Sequence, residues 1–272
     1  MSGTQRAQAA PQTPVVVVDG VDKTFGTGEA TTHALSRIDL RIDAGEFVSL
    51  IGPSGCGKST LLRVMGDLTQ PTAGSVSING KPATRARRDR DYGMVFQAPV
   101  LFDWRSIQAN VELPLEILGL SHPERRERAE RMLDLVELGE FRAHHPWQLS
   151  GGMQQRAAIA RALTLEPKLL LMDEPFGALD EMTRERMNDE LRRVWDRTRT
   201  TIVFVTHSIP EAVFLSTRVV VMSARPGRIT DVVAIDLPRP RNEETRELDR
   251  YFELITTVRE ALRAGHAPRA RE

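Results

Sequence analysis

The sequence predicts an α/β fold in which parallel strands alternate with helices around a glycine-rich loop. Three observations support this prediction: that loop lies between a strand and a helix, an apolar strand ends in two carboxylates, and further β-branched strands follow helical stretches. At 272 residues, 40% of them hydrophobic, the chain is long enough for one large domain or two modest ones.

Charge and cysteine content narrow the class of protein. Lysine plus arginine equals aspartate plus glutamate at 37 each, so the formal net charge is zero. A protein devoted to nucleic acid is usually more basic, so the balance argues against that partner. The single cysteine, Cys56, permits no intrachain disulfide, which fits a reducing compartment.

Residues 1–14 are polar and contain prolines, without the apolar core of a signal peptide, and we expect them to be a disordered lead. No apolar run approaches the length of a membrane-spanning helix. We therefore expect any membrane attachment to come through a partner. Residues 15–18 and 35–42 are predicted strands around a turn at 26–29. Phe25 precedes this turn, where its ring either packs at the core edge or stacks on a ligand's base; both interpretations stay open.

The strand at residues 46–51 leads into a loop that matches G-x-x-x-x-G-K-[ST]. Glycines let backbone N–H groups wrap around phosphate oxygens, and the following helix points its positive end at the same anion. Lys58 would supply charge for the β- and γ-phosphates, and Ser59 a hydroxyl for Mg²⁺. The pattern predicts nucleoside triphosphate binding by Gly52, Pro53, Ser54, Gly55, Cys56, Gly57, Lys58, Ser59 and Thr60.

The next stretch continues the alternation of strands and connections. Residues 76–80 are a predicted strand, and the charge-dense run at 85–90 is a predicted solvated loop. Residues 92–96 form a predicted buried strand that ends at Gln97. A polar residue at the carboxyl end of such a strand lies where α/β folds bind ligands.

From residue 98 to about 165 the pattern becomes helical, with predicted helices at 107–118 and 123–138. Its aromatic opening at 100–104 either packs internally or forms a groove for a partner's helix. A further helix begins near Ser150, a good N-cap that two glycines follow. Such a start is either a second anion-binding site or an ordinary helix beginning.

Catalytic chemistry is predicted at the end of the apolar strand 169–175. A carboxylate beside a phosphate loop can hold Mg²⁺, which suits Asp173. Glu174 is placed to accept a proton from an attacking water. His207 follows another core strand at 202–206. A lone histidine usually just satisfies a hydrogen bond, but this position at a strand end adds support for a functional role.

Two elements close the chain. Strands 218–222 and 231–237 are predicted to pair as a hairpin about a turn at 225–228. The tail from 243 is a predicted packing helix, with a buried stripe made of Leu248, Phe252, Ile255, Val258 and Leu262.

Taken in order, these motifs resemble one family, the ATP-binding subunits of ABC transporters. The loop at 52–60 resembles its Walker A motif, residues 171–175 its Walker B motif and residues 149–154 its signature sequence. Stretches at 173–180, 211–215 and 221–229 are similar to the nitrate, sulfonate and taurine importer branch. Single positions that match the family are Phe25 (adenine stacking), Gln97 (Q-loop), Asp180 (D-loop) and His207 (switch histidine).

The resemblance implies an α/β P-loop NTPase of ABC type: a RecA-like core with a mixed sheet, an antiparallel β subdomain and an inserted helical subdomain. The ATP-binding domain would span residues 15–240, with the helical subdomain at about 98–165. Residues 241–272 would form a C-terminal packing helix and tail.

The resemblance also implies hydrolysis of ATP with Mg²⁺. The implied catalytic residues are Glu174, His207, Gln97 and Lys58, and the implied metal ligands are Ser59, Gln97 and Asp173. In the family, the signature residues bind the ATP held by a facing subunit, which implies a head-to-tail pair of copies, or of homologous ATPase subunits, with contacts from Ser150, Gly151, Gly152 and Asp180.

The other implied partners are membrane permease subunits and, indirectly, a solute-binding protein, at the cytoplasmic face of the cell membrane. Repair-type ABC ATPases carry long heptad arms between the Walker motifs, and translation types carry two ATP modules; the sequence has neither. Intact catalytic positions argue against an inactive scaffold. A soluble ABC ATPase of cofactor assembly would share every motif and remains an alternative.

Overall fold

The computed structural model describes residues 14–26 and 31–265. The predicted lead, apart from Pro14, and most of the turn predicted at 26–29 lie outside these ranges. Strands in the described residues are β1 (Pro14–Phe25), β2 (Thr32–Asp43), β3 (Phe47–Ile51), β4 (Ala73–Ile78), β5 (Lys81–Pro82), β6 (Tyr92–Val95), β7 (Leu169–Asp173), β8 (Thr201–Val205), β9 (Arg218–Met222) and β10 (Ile229–Ala234). Helices are α1 (Lys58–Met65), α2 (Ala83–Asp89), α3 (Ile107–Ile117), α4 (His122–Leu135), α5 (Gly151–Leu163), α6 (Glu181–Thr198), α7 (Ile209–Leu215) and α8 (Asp249–Ala264).

The strands form two sheets. A four-stranded antiparallel sheet has the order β2-β1-β4-β5, and a six-stranded sheet has the order β10-β9-β3-β8-β7-β6. The six-stranded sheet is mixed, because β10 pairs antiparallel to β9 whereas all other neighbouring strands of this sheet are parallel. Strands buried on both faces read as continuous apolar runs, which is why β3, β7 and β8 were recognisable from the sequence.

The core has two layers, one on each face of the six-stranded sheet. On one face, Val48 and Leu50 of β3 join the cluster that includes helix α1 and the antiparallel sheet. On the other face, Phe47 and Ile51 join the cluster that includes helices α5 to α8. Alternate side chains of one strand thus hold both layers together.

The sheet order decides which chain segments meet. Strands β3, β8, β7 and β6 lie side by side and parallel. Their carboxyl ends therefore share one edge of the sheet, where α/β proteins bind ligands. The glycine-rich loop begins at Gly52, directly after β3, and Glu174 directly follows β7. His207 and Gln97 lie two residues beyond the ends of β8 and β6.

Helices α3, α4 and α5, which come between β6 and β7 in the chain, pack on one another. Buried Asn110 fastens the entry to this segment, since its amide donates to the carbonyls of Phe102, Arg105 and Ser106 and accepts from the Phe102 N–H. Helix α3 begins where Ser106 Oγ accepts a hydrogen bond from the N–H of Ala109.

The loop predicted at 85–90 is wrong, because most of this run belongs to helix α2. Arginine favours a helix, Ala86 is buried beneath it, and Arg85 pairs with Asp89 one turn later. Arg87 also reaches Asp67 at 2.9 Å. Charge density had suggested a loop where it marks the solvated face of a helix.

Two other helix predictions need correction. The helix predicted at 123–138 ends at Leu135, since Glu137 adopts a left-handed φ of +57°. The predicted stripe is wrong at Leu248, which precedes α8, and at Phe252. Both are exposed, whereas Tyr251 is buried and donates from its hydroxyl to the Pro210 carbonyl at 3.1 Å. Within the described ranges, none of the helices combines the length and apolar character that crossing a bilayer requires.

Candidate active site

The glycine-rich loop joins the end of β3 to the start of α1. Gly57, directly before the helix, has a left-handed φ of +101°. A Cβ at this position would lie 2.7 Å from Cδ2 of Leu35 and 2.9 Å from the carbonyl of Ala34, so only glycine fits. No side chain caps α1, which leaves its first N–H groups available to an anion.

Lys58 folds back along this loop. Its Nζ donates to the carbonyls of Gly52 at 2.9 Å and Pro53 at 3.2 Å, and its side chain is largely buried. These bonds hold a positive charge inside the curve of the loop.

Ser59 and Asp173 meet across the sheet edge. The Ser59 hydroxyl donates to Oδ1 of Asp173 at 2.6 Å, and Nη2 of Arg63 lies 4.0 Å from Oδ2. No group of three or more His, Cys, Asp or Glu side chains within residues 14–26 and 31–265 could hold a metal ion. Mg²⁺ usually takes one or two protein oxygens together with substrate phosphates, and this hydroxyl–carboxylate pair fits that demand.

Glu174 and His207 form the next pair along the edge. Oε2 of Glu174 lies 3.8 Å from Nδ1 of His207, and the Glu174 N–H donates to the Val205 carbonyl at 3.1 Å. Glu174 has a left-handed φ of +46°, which is uncommon for a glutamate. Such strain is concentrated at functional sites, where it aims a side chain.

Gln97 lies beside the segment that follows Glu174. A Cβ on Gly177 would lie 3.4 Å from Nε2 of Gln97. The neighbouring Phe96 carbonyl accepts a 3.0 Å hydrogen bond from Gln155 of helix α5. The strand end that carries Gln97 is therefore tied directly to the helical segment.

A cleft of about 410 Å³ opens over the loop. This volume lies within the usual range for a small-molecule site. Phe25 is 43% exposed, so its ring lies at the surface and not in the core interior. The cleft is lined by Phe25, Thr32, Ala34, Ser54, Gly55, Gly57, Lys58, Ser59, Thr60, Glu174 and Arg225.

The second predicted anion site lies elsewhere on the surface. Ser150 caps helix α5, accepting at Oγ from the Met153 N–H at 3.3 Å, and Gly151 and Gly152 form its first turn. None of these three residues lines the cleft. The structure thus separates the two helix starts.

Asp180 lies close to that second start and also stays outside the cleft. It caps helix α6 by accepting from the Thr183 N–H at 3.0 Å, and hydrogen bonding to Thr183 lowers the pKa of Asp180. A Cβ on Gly152 would lie 3.2 Å from Cγ2 of Thr183, which brings the two capped helix starts together.

Known proteins have sequences similar to that of this chain. A family model described as ABC transporter matches residues 35–177, more than half of the chain. A nitrate import ATP-binding protein of Synechocystis is 46% identical over 228 residues, 84% of each chain. An aliphatic sulfonates import ATP-binding protein of Bacillus cereus is 41% identical over 228 residues, 84% of this chain and 89% of the relative.

This chain belongs to the ABC transporter family. A solved dimeric ATP-binding cassette, in a post-hydrolysis state with ADP and Pi, superposes with a TM-score of 0.71 at 39% identity, covering 81% of this chain and 98% of that one. The ABC-type P-loop fold and the similarity to the nitrate and sulfonate importer branch are confirmed. The chain is an ATP-hydrolysing subunit of a transporter, and the matches do not favour the soluble alternative.

Three Walker A residues of this ABC ATPase do not line the cleft. Gly52 is buried beneath the loop, and Pro53 accepts a 3.2 Å hydrogen bond from the Cys56 N–H. The Cys56 side chain is buried, and burial raises the pKa of its thiol, which fits the role of a small packing residue in the loop.

Sequence reasoning missed three cleft residues of this ABC ATPase: Thr32, Ala34 and Arg225. Nε of Arg225 donates to the Gly55 carbonyl at 3.3 Å. The sequence predicts a hairpin turn at 225–228, within a stretch similar to the importer branch, and no local signal links this turn to a loop so far away in the chain.

Proposed function

We propose that this chain hydrolyses ATP in a pair of facing copies and thereby powers a membrane permease that imports a small anion. The observation that supports this most directly is the 2.6 Å contact between Ser59 and Asp173, with Glu174 next to it on the same cleft. A phosphate-binding loop, a hard-oxygen metal pair and a proton acceptor are the parts that phosphoryl transfer to water requires.

Different residues of the cleft would bind the base and the phosphates of the nucleotide. The exposed ring of Phe25 stacks on the adenine, because a half-exposed aromatic at the cleft wall offers a flat apolar face. Lys58 and the loop amides from Ser54 to Thr60 bind the phosphates. Pre-set carbonyl contacts hold Lys58 in place, so little side-chain entropy is lost on binding.

Ser59, Asp173 and Gln97 would hold Mg²⁺. All three offer oxygen atoms, which this hard cation prefers. When bound, the ion neutralises charge on the phosphate oxygens.

Hydrolysis then rests on positioning by this chain's own residues. Glu174 accepts a proton from the attacking water at its carboxylate. His207, with Nδ1 3.8 Å from that carboxylate, contacts the γ-phosphate and helps fix the geometry. Gln97 lies beside the segment after Glu174 and next to Phe96, whose carbonyl is bonded to helix α5. It therefore connects the nucleotide site to the helical segment.

One copy does not complete the site. The glycine-flanked start at Ser150, with Gly151 and Gly152, lies outside the chain's own cleft, as does Asp180. In a head-to-tail pair each copy lends this surface to its partner's γ-phosphate, and two-fold symmetry uses the same patch twice. ATP then favours the closed pair, and loss of the γ-phosphate favours opening. The dimeric solved cassette supports this arrangement.

The permease would dock on the helical segment. Trp104 is 74% exposed, its ring centroid lies 4.8 Å from that of Phe102, and Val100 is exposed beside them in sequence. An apolar surface of this kind suits a short helix of a membrane protein. Closure of the ATPase pair would move that helix.

The named relatives are ATP-binding proteins of nitrate import and of aliphatic sulfonates import, and they support a proposal on the class of substrate. We extend this to a small inorganic or organic anion, such as nitrate, an aliphatic sulfonate or taurine, delivered by a solute-binding protein. The chain would lie at the cytoplasmic face of the membrane. Its ATP-binding domain would span residues 15–240, with the helical subdomain at about 98–165 and a packing helix and tail beyond 240.

Two measurements test the proposal. The Glu174→Gln variant should have the mass of a dimer with Mg-ATP and of a monomer without it, by light scattering. A monomer under both conditions, in solution and in the membrane complex, would overturn the facing-pair mechanism. Detergent co-purification should capture a permease; capture of a cytosolic assembly partner alone would instead favour the soluble alternative.

A further inference from the structure

We propose that Arg225 is a nucleotide-binding residue whose guanidinium contacts the phosphate chain of the ATP held by its own subunit. This inference rests on the proposed function, since it requires that the cleft holds ATP. Arg225 belongs to none of the motifs that predicted the site, and it lies on the turn between β9 and β10.

The turn is fixed to strand β2 by backbone hydrogen bonds and packs closely against the phosphate loop. The Gly227 N–H donates to the Ala34 carbonyl at 2.9 Å, and the Gly227 carbonyl accepts from the Ser36 N–H at 3.0 Å. A Cβ on Gly227 would lie 2.0 Å from the Cys56 carbonyl. Only glycine permits so close an approach, so the turn and the loop pack together as one unit.

This unit places the guanidinium of Arg225 at the cleft wall. Its Nε donates to the Gly55 carbonyl at 3.3 Å, and Nη2 lies 3.2 Å from the Cβ position of Gly55. A guanidinium has five N–H donors, and within the described ranges the bond to Gly55 is the one hydrogen bond found for this side chain. No carboxylate of those ranges forms an ion pair with it.

The remaining donors face a cleft whose floor is made of phosphate-loop residues. Guanidinium and phosphate match in charge and in fork geometry, and such charge-assisted bonds are stronger than neutral ones. The charge of Lys58 is bound to two loop carbonyls, whereas Arg225 keeps donors unused. Arg225 therefore supplies a second, outer positive contact to the phosphates.

The test measures nucleotide affinity by calorimetry for wild type, Arg225→Ala, Arg225→Lys and the control Arg228→Ala, which changes an exposed arginine of the same turn outside the cleft. We expect Arg225→Ala to weaken ATP and ADP binding about tenfold, and Arg225→Lys less. The loss should shrink in high salt, because a contact between charges is screened. At saturating ATP, kcat should stay close to that of wild type while KM rises.

Unchanged ATP affinity in Arg225→Ala, or a loss equal at low and high salt, would overturn the inference; the latter would make Arg225 only a support for Gly55. If Arg225→Ala fails to fold, Arg225→Lys carries the same test at reduced size. Lys58→Ala separates the two proposals. If wild type binds ATP and Lys58→Ala does not, an Arg225→Ala variant with unchanged ATP affinity refutes this inference alone. Absence of ATP binding by wild type refutes the proposed function.

Discussion

The Ser59 hydroxyl donates a 2.6 Å hydrogen bond to Oδ1 of Asp173, a residue 114 positions further along the chain. Ser59 lies in helix α1, which follows β3, and Asp173 is the last residue of β7. In the sheet, β8 lies between these two strands. The contact therefore exists only because the parallel sheet brings the three carboxyl ends to one edge.

This contact predicts a specific dependence on magnesium. In Asp173→Asn the charged ligand becomes a neutral amide, so the gain in ATP affinity that Mg²⁺ gives should fall about tenfold or more. Binding in EDTA should stay unchanged, as titration calorimetry with and without the metal can establish. Asp231→Asn, an exposed position on β10, is the control. A full magnesium gain in Asp173→Asn would remove this residue from the ligand set.

The proton-acceptor role of Glu174 predicts a separation of binding from turnover. Glu174→Gln keeps the shape of the side chain but cannot take a proton, so kcat should fall at least about a hundredfold with ATP affinity retained. Phosphate release assays measure the first quantity and calorimetry the second. Glu127→Gln, an exposed glutamate of α4, should behave as wild type. Wild-type turnover in Glu174→Gln would show that another group takes the proton.

Base stacking by Phe25 predicts a graded series. Phe25→Ala should weaken ATP binding by up to about tenfold, and Phe25→Trp should preserve it, because any aromatic face can stack. Nζ of Lys23 lies 4.7 Å from the ring centroid, so a cation already lies over one face of this ring. Phe252→Ala removes a comparably exposed aromatic on α8 and should have no effect. Equal affinities across the series would place the adenine elsewhere.

Glu211 predicts how stability depends on pH. Its side chain is buried at the start of α7, where it accepts a hydrogen bond from the Thr206 hydroxyl. Desolvation raises the pKa of Glu211 from 4.5 to about 7. A carboxyl with a raised folded-state pKa contributes its full stability below the unfolded pKa and loses it as pH rises through the folded one.

The free energy of unfolding of wild type should therefore fall, relative to Glu211→Gln, between pH 4.5 and about 7. The difference should approach about 3 kcal/mol, since each pKa unit corresponds to about 1.4 kcal/mol. Urea unfolding of both proteins across this range measures it. A difference that does not vary with pH would mean that Glu211 stays ionised in the fold.

Much of the fold was predictable because local signals were strong. The buried strands around Val48, Leu170 and Val203 are mostly apolar, and the loop before Lys58 has a demanding glycine pattern. Predictions failed where packing decided. The arginines near Ala86 became helical because that alanine is buried, and the face of α8 follows the bond from Tyr251 to the body of the protein.

Part of the site was equally predictable. Lys58, Asp173 and Glu174 were placed by motifs that need particular side chains at particular strand ends. Arg225 was not, because its role depends on a turn that touches Gly55 and no periodicity carries that information. The separation of Ser150 from the cleft was likewise invisible before the helices were packed.

The sequence by itself determined which strands are buried, where phosphate would bind and which carboxylates stand ready, since each depends on residue type within a few positions. Only the tertiary structure decided which of these residues contact one another. It made Ser59 a neighbour of Asp173, brought Arg225 to the phosphate loop and placed Ser150 outside the cleft. Such contacts depend on sheet order and close backbone approach, which arise from the packing of the whole chain.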